Sequence, residues 1–249
     1  MTRPTFGNAI YFPLFLRWIY DTLVLGVYCP LAWGCSKNTL QRHYNKPVSA
    51  AAFKEHDGRL RLLDIGVGTG YWISHAPLAP RTSVFLVDIN DHPLGESKTR
   101  ICKAHPTVFL QTNKTNVFDL GSAMPVLSGR ADSGHDDMNF DVISCMLLLH
   151  CLPGPASSKG KALARLGRLL EKDGVLVGAT VLGRGVKHNV LGRFIMFWHN
   201  LLGIFYNHDD GANDIVGPLE SAFEVVDWRV EGTMLLFEAR SPRVQHDSS

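Results

Sequence analysis

The chain has 249 residues, 45% of them hydrophobic, which suits one α/β domain with a single continuous core. Lysine and arginine total 25 against 23 aspartates and glutamates, and the charges are scattered, so no basic stripe marks nucleic acid as a partner. The five cysteines, Cys29, Cys35, Cys102, Cys145 and Cys151, are odd in number and lack paired CxxC spacing. That argues against a disulfide scaffold or a zinc site, so no metal is expected, and for reduced thiols in a cytoplasmic setting.

The first feature in chain order is an apolar stretch over residues 11–33. Arg17, Asp21 and Pro30 interrupt it, so no stable membrane span is expected, and it lacks the basic start and small-residue cleavage site of a secretory signal. It predicts an amphipathic helix over 13–27 lying over the domain or its active-site mouth, where Tyr11, Trp18, Tyr20, Tyr28 and Trp33 would close over a ligand. Residues 1–58 are expected to form an N-terminal helical cap and 59–249 the core, one globular domain overall.

From residue 59 onward, short β-branched runs alternate with helical stretches. This is the pattern of a doubly wound, mostly parallel sheet with helices on both faces. Strands are predicted at 61–65, 84–87, 108–111, 140–144 and 175–180, with a surface loop over 121–139 and a crossover helix over 157–170. Two more strands, 223–230 and 233–239, are separated by Glu231 and Gly232, so a seven-stranded sheet would close with an antiparallel hairpin.

The strongest motif is Asp64-Ile65-Gly66-Val67-Gly68-Thr69-Gly70, where the first strand runs into a turn of three alternating glycines. Glycine lets a backbone turn sharply and approach a ligand closely, because no Cβ intrudes. The second strand ends in Asp88, placed to accept hydrogen bonds from both hydroxyls of a ribose. A turn or helix cap is the alternative role for that aspartate.

These residues resemble the class I, Rossmann-like methyltransferases, in which one acid opens a G-x-G-x-G loop and another closes strand two. The resemblance covers residues 20–239 and implies S-adenosylmethionine as cofactor, with S-adenosylhomocysteine as product. It implies that Asp64, Gly66, Gly68 and Gly70 line the methionine side, that Asp88 holds the ribose, and that Ile89 packs on adenine. Asn116 and Val117 would meet the adenine edge, although many relatives carry aspartate where this chain has Asn116. A dinucleotide oxidoreductase shares the first half of this architecture, but its G-x-G-x-x-G needs a glycine at position 71, which is Tyr71 here.

Ligands in such sheets bind beyond the carboxyl ends of the strands, so Met146 and the segment 145–154 after strand four should border the sulfonium. His150 is the candidate general base, with capping or adenosine contact as the alternative. The run from His150 to Gly154, with Leu169-Leu170-Glu171-Lys172-Asp173-Gly174, resembles small single-domain methyltransferases of secondary metabolism. An insertion over 183–218 would form a lid whose Phe194, Phe197, Trp198, His199, Phe205 and His208 suit a largely apolar small-molecule pocket, unless the aromatics simply bury one helix face.

Methyl transfer to an apolar small molecule is therefore the first expectation, with oxygen preferred over nitrogen or carbon. A methyltransferase-like cyclase or pericyclase that binds the cofactor without consuming it is the second. A noncatalytic partner or membrane-surface protein is the third. The pattern leaves the oligomeric state open.

Overall fold

The computed structural model describes residues 15–54, 59–120 and 139–243. The expected loop over 121–139 lies outside the described residues except for its last position, as do Tyr11 and the side chains of Trp18 and Tyr20.

An N-terminal helix of wide, i→i+5 type spans Phe15–Ala32 and runs to a turn at Gly34 before α1 (Lys37–Lys54). The core then follows as β1 (Arg59–Ile65), α2 (Tyr71–Ser74), β2 (Arg81–Asp88), α3 (Asp91–Ala104), β3 (Phe109–Lys114) and β4 (Phe140–Met146). It continues with α4 (Ala156–Arg165), β5 (Leu170–Val181), α5 (Val190–Leu201), α6 (Ala212–Ala222), β6 (Phe223–Glu231) and β7 (Met234–Pro242). The sheet has seven strands in the order β3-β2-β1-β4-β5-β7-β6. β1 to β5 pair in parallel, while β7 runs antiparallel to both β5 and β6. The mostly parallel sheet and its closing hairpin are as the sequence predicts.

Alternation along the strands divides the core in two, because successive side chains point to opposite faces. Leu62, Val84, Val142 and Val177 pack with the N-terminal helix, α1 and α3. Leu63, Phe85, Ile143 and Leu176 pack with α4 and α6. Each such side chain fully withdrawn from water contributes about 1.5–3 kcal/mol. Among the described residues no helix is long and apolar enough to cross a membrane.

Several boundaries differ from expectation: the N-terminal helix predicted over 13–27 runs on to Ala32. The crossover helix predicted to reach residue 170 ends at Arg165 and gives way to a 3₁₀ turn, Leu166–Leu169, so β5 starts at Leu170. Asp173-Gly174 then falls within β5, at the register shift between Phe140 and Val142. Residues 212–218, expected in the lid, instead begin the crossover helix α6, whose Ile215, Val216 and Leu219 are buried against the sheet. What stands over the carboxyl ends of the strands is α5 and the loop after it.

Candidate cofactor and acceptor site

The strand order reverses between β1 and β4, so the loops after these strands diverge and leave a crevice between them. A cavity of about 390 Å³ occupies that crevice. Its floor is the glycine turn, one end is Asp88 to Asn90 with Asn116 and Val117, and the other end is Met146 to Pro153. Tyr28 and Cys29 of the N-terminal helix, Trp33, and His199 to Tyr206 form the roof.

The three glycines have different work. All lie in the left-handed region, with φ of +71° at Gly66, +53° at Gly68 and +67° at Gly70, where any other residue is strained. A Cβ at Gly66 would come within 2.7 Å of the Leu148 side chain, and one at Gly70 within 2.9 Å of the Ser97 backbone on α3. A Cβ at Gly68 would meet nothing within 4 Å, because that position opens onto the cavity. Gly66 and Gly68 line the cavity, whereas Gly70 holds the turn against α3.

Asp64 is also set behind the cavity wall. It is buried, and Ser144 of β4 donates its hydroxyl proton to Oδ1. Burial is the main cause that pushes its carboxyl up to about 7, with the neighbouring Asp88 adding to the rise. Asp88 does line the cavity at the end of β2, accepting the Asn90 N–H at 2.9 Å, and burial raises it to about 6. Ile89 beside it is 55% exposed and forms the rim, and Asn116 caps the turn after β3 by accepting the Phe118 N–H at 3.1 Å. Val117 and Met146 are buried wall residues.

The sign of the Asp64 shift gives a stability prediction. A carboxyl raised on folding binds its proton more tightly in the native state, so its contribution is present near pH 4 and is lost as pH rises toward 7. Asp64→Asn removes that loss. The stability advantage of the variant over wild type should grow across this window and level off above it, reaching a few kcal/mol by chemical denaturation. An advantage independent of pH would show that Asp64 is not the titrating group.

Several supports of the site are not legible as motifs. Asp21, noted in the sequence only as a break in an apolar run, accepts from the Thr69 hydroxyl at 2.7 Å and from Arg100 at 2.5 Å. It thereby pins the N-terminal helix to the glycine turn. Leu147 has φ of +59° and donates its N–H to the Ala179 carbonyl at 2.8 Å, which swings the chain from β4 back over the cavity. Lys159 of α4, fully buried, bonds Asp210 at 2.6 Å and the Tyr206 carbonyl at 2.7 Å, while Tyr206 N–H bonds the His150 carbonyl at 2.8 Å. The signal for Lys159 was present: it shares the buried stripe of α4 with Ala156 and Leu163, a position where a cation needs a partner.

Two histidines line the same part of the cavity, both with their rings against Phe205. His150 accepts the Val181 N–H at its Nδ1 (3.4 Å), with the Thr180 hydroxyl also 3.2 Å away. Burial first, then the Lys159 charge, drives its pKa to about 3, so the ring is neutral and its proton resides on Nε2. In that tautomer Nε2 is a hydrogen-bond donor toward the cavity. His199 has the opposite arrangement. Its Nδ1 lies 2.9 Å from the Ile195 carbonyl, which can only accept, so Nδ1 carries the proton and Nε2 keeps the lone pair. Burial lowers its pKa as well. The other lid candidates disperse: His208 pairs with Asp209 on the surface at 3.0 Å. Among the described residues no three His, Cys, Asp or Glu side chains gather as metal ligands.

Residues 37–210 match the family described as Methyltransferase domain. The chain is 35% identical to Methyltransferase verB of Penicillium polonicum, over 90% of this chain and 94% of that protein. It is 34% identical to the physcion biosynthesis cluster O-methyltransferase of Aspergillus chevalieri, with 96% of each covered. Among solved structures, the [4+2]-cyclase SpnF superposes with a TM-score of 0.55 at 13% identity, over 95% of both chains, a likeness of fold alone. The family match together with the glycine turn, the Asp88 carboxylate at the end of β2 and the open Gly68 position has one meaning: the chain belongs to the methyltransferase domain family and is an S-adenosylmethionine-dependent methyltransferase.

Proposed function

We propose that the protein methylates an oxygen atom of an apolar small molecule of secondary metabolism. The observation that carries this is the cavity itself: it runs continuously from Gly68 and Asp88 to a chamber walled by Tyr28, Trp33, Leu148 and Phe205, which His150 and His199 also line. Such a chamber accepts a mostly apolar molecule and orients it through a few polar groups. The O-methyltransferase relative supports oxygen as the acceptor atom. All five cysteines are free thiols, which supports a cytoplasmic setting.

In this reading Gly66 and Gly68 cradle the methionine end of the cofactor, Asp88 bonds its ribose, and Ile89, Asn116 and Val117 border adenine, with Met146 near the sulfur. When bound, S-adenosylmethionine supplies the methyl group and leaves as S-adenosylhomocysteine. His150 donates from Nε2 to the acceptor oxygen and holds it in line. His199 takes the hydroxyl proton at Nε2 as that oxygen attacks, and returns it to solvent afterwards. Trp33, Tyr28 and Phe205 exclude water from the chamber, which strengthens these polar contacts.

The test is an assay of the purified protein with S-adenosylmethionine and a panel of aromatic phenols, enols, carboxylic acids and amines. O-methylated product should accumulate in step with S-adenosylhomocysteine. His199→Asn should lower kcat by about 10²–10³ and flatten the acidic limb of the pH profile, whereas His150→Gln should keep that limb. An unmethylated isomer formed with the cofactor intact would favour the cyclase reading. Undiminished turnover by His199→Asn would remove the histidine from proton transfer.

A further inference from the structure

Helix α5 is apolar on two faces. Gly192, Ile195 and Met196 turn inward, as an amphipathic helix requires. The opposite stripe is also apolar and stands in solvent: Val190 is 74% exposed, Phe194 and Phe197 are each 61%, and Leu201 is 63%. The spacing of three and four residues puts these side chains in one row. Trp198 and Leu202 flank the row, and Leu31 at the end of the N-terminal helix, 60% exposed, lies near it because Asn189, the N-cap of α5, bonds the Leu31 carbonyl at 2.7 Å.

The charges nearest this row along the chain have one sign. Arg193 is exposed on α5, Lys187 is exposed just before it, and residues 174–208 contain no aspartate or glutamate. Residues 22–54, which include the neighbouring end of the N-terminal helix, contain none either. The nearby Arg184 is already matched by Asp214 at 2.5 Å, so Lys187 and Arg193 carry the positive charge of this face.

We propose that the outer face of α5 docks the protein on an anionic lipid surface. Phenylalanine, tryptophan and leucine on one side of a helix enter the boundary between headgroups and acyl chains, and flanking Lys and Arg meet the negative headgroups. A second copy of the chain is a poorer occupant: a two-fold contact centred on the stripe would bring Arg193 of both copies close to the axis. The docked face continues directly into the loop at Gly203 and Ile204, which walls the cavity, so the acceptor chamber would stand beside the lipid. The proposal is independent of the acceptor atom.

The test uses the full chain and needs no substrate. Wild type should co-sediment with phosphatidylcholine–phosphatidylserine vesicles and much less with phosphatidylcholine alone, and added salt should weaken it. Phe194→Ser with Phe197→Ser should reduce binding about tenfold or more, and Arg193→Glu should reduce it on mixed vesicles only. Affinity for S-adenosylmethionine, measured on the same variants, should be unchanged, which separates loss of docking from loss of fold. The proposal is overturned if wild type ignores mixed vesicles, or if the double serine variant binds them as wild type does. It is equally overturned if wild type is a dimer by light scattering that the serine variant dissociates, since the face would then belong to a second copy.

Discussion

Gly68→Val should abolish cofactor binding while leaving the protein folded. The Cβ of the new residue enters open cavity, so the fold absorbs only the strain of a β-branched residue at φ of +53°, about 1–2 kcal/mol. In a protein of this size that lowers Tm by only a few degrees. The space the side chain fills is the space a ligand needs. The dissociation constant for S-adenosylmethionine should rise at least about 100-fold by calorimetry, equivalent to about 2.7 kcal/mol. Asp88→Ala should produce a loss of similar order through lost charge-assisted bonds, with native stability kept because an ionised carboxylate is no longer buried. Wild-type affinity in either variant would place the cofactor elsewhere. Gly66→Val and Gly70→Val make the contrast, since their Cβ atoms collide with Leu148 and with the α3 backbone at Ser97 and should impair folding itself.

Lys159→Ala should be among the most destabilising single changes available. It leaves the Asp210 carboxylate, 2% exposed, and the Tyr206 carbonyl without the ammonium that bonds both. Removing one partner of a buried ion pair costs about 3–5 kcal/mol, which in a chain of this length lowers Tm by about 6–20 °C. Lys159→Met with Asp210→Asn, which removes both charges, should recover much of that loss in thermal unfolding. The two results together distinguish an uncompensated charge from a packing defect. A Lys159→Ala protein as stable as wild type would mean that the lid loop holds itself in place without the pair.

The parts of this protein that follow from local rules were legible in its sequence. Alternating apolar strands, the glycine turn and an acid at the end of the second strand each depend on a few neighbouring residues, and they gave the sheet, its closing hairpin and the position of the crevice. What escaped depends on contacts between distant segments. Asp64 and Gly70 fit the motif as well as Gly68 does, yet only the packing of β4 and α3 reveals that they do not line the cavity. His150 and His199 are indistinguishable as letters; the Val181 N–H and the Ile195 carbonyl decide which ring nitrogen holds the proton. The lid boundary was misplaced because residues 212–218 are apolar in a way that suits a lid or a core helix equally, and burial against the sheet decides for the core.

The roof of the cavity is tied to the closing hairpin. Trp33, one of its members, offers its carbonyl to the Thr233 N–H at 2.8 Å, and a Cβ at Gly232 would fall 2.0 Å from that same oxygen. That bond has no donor until the closing hairpin has left the ribosome, two hundred residues after Trp33 was made. Synthesis therefore lays down the glycine turn, Asp88 and the parallel strands first, and the chamber acquires its anchored roof only after the closing hairpin. A nascent chain can display the cofactor floor long before it can shelter a reaction from water.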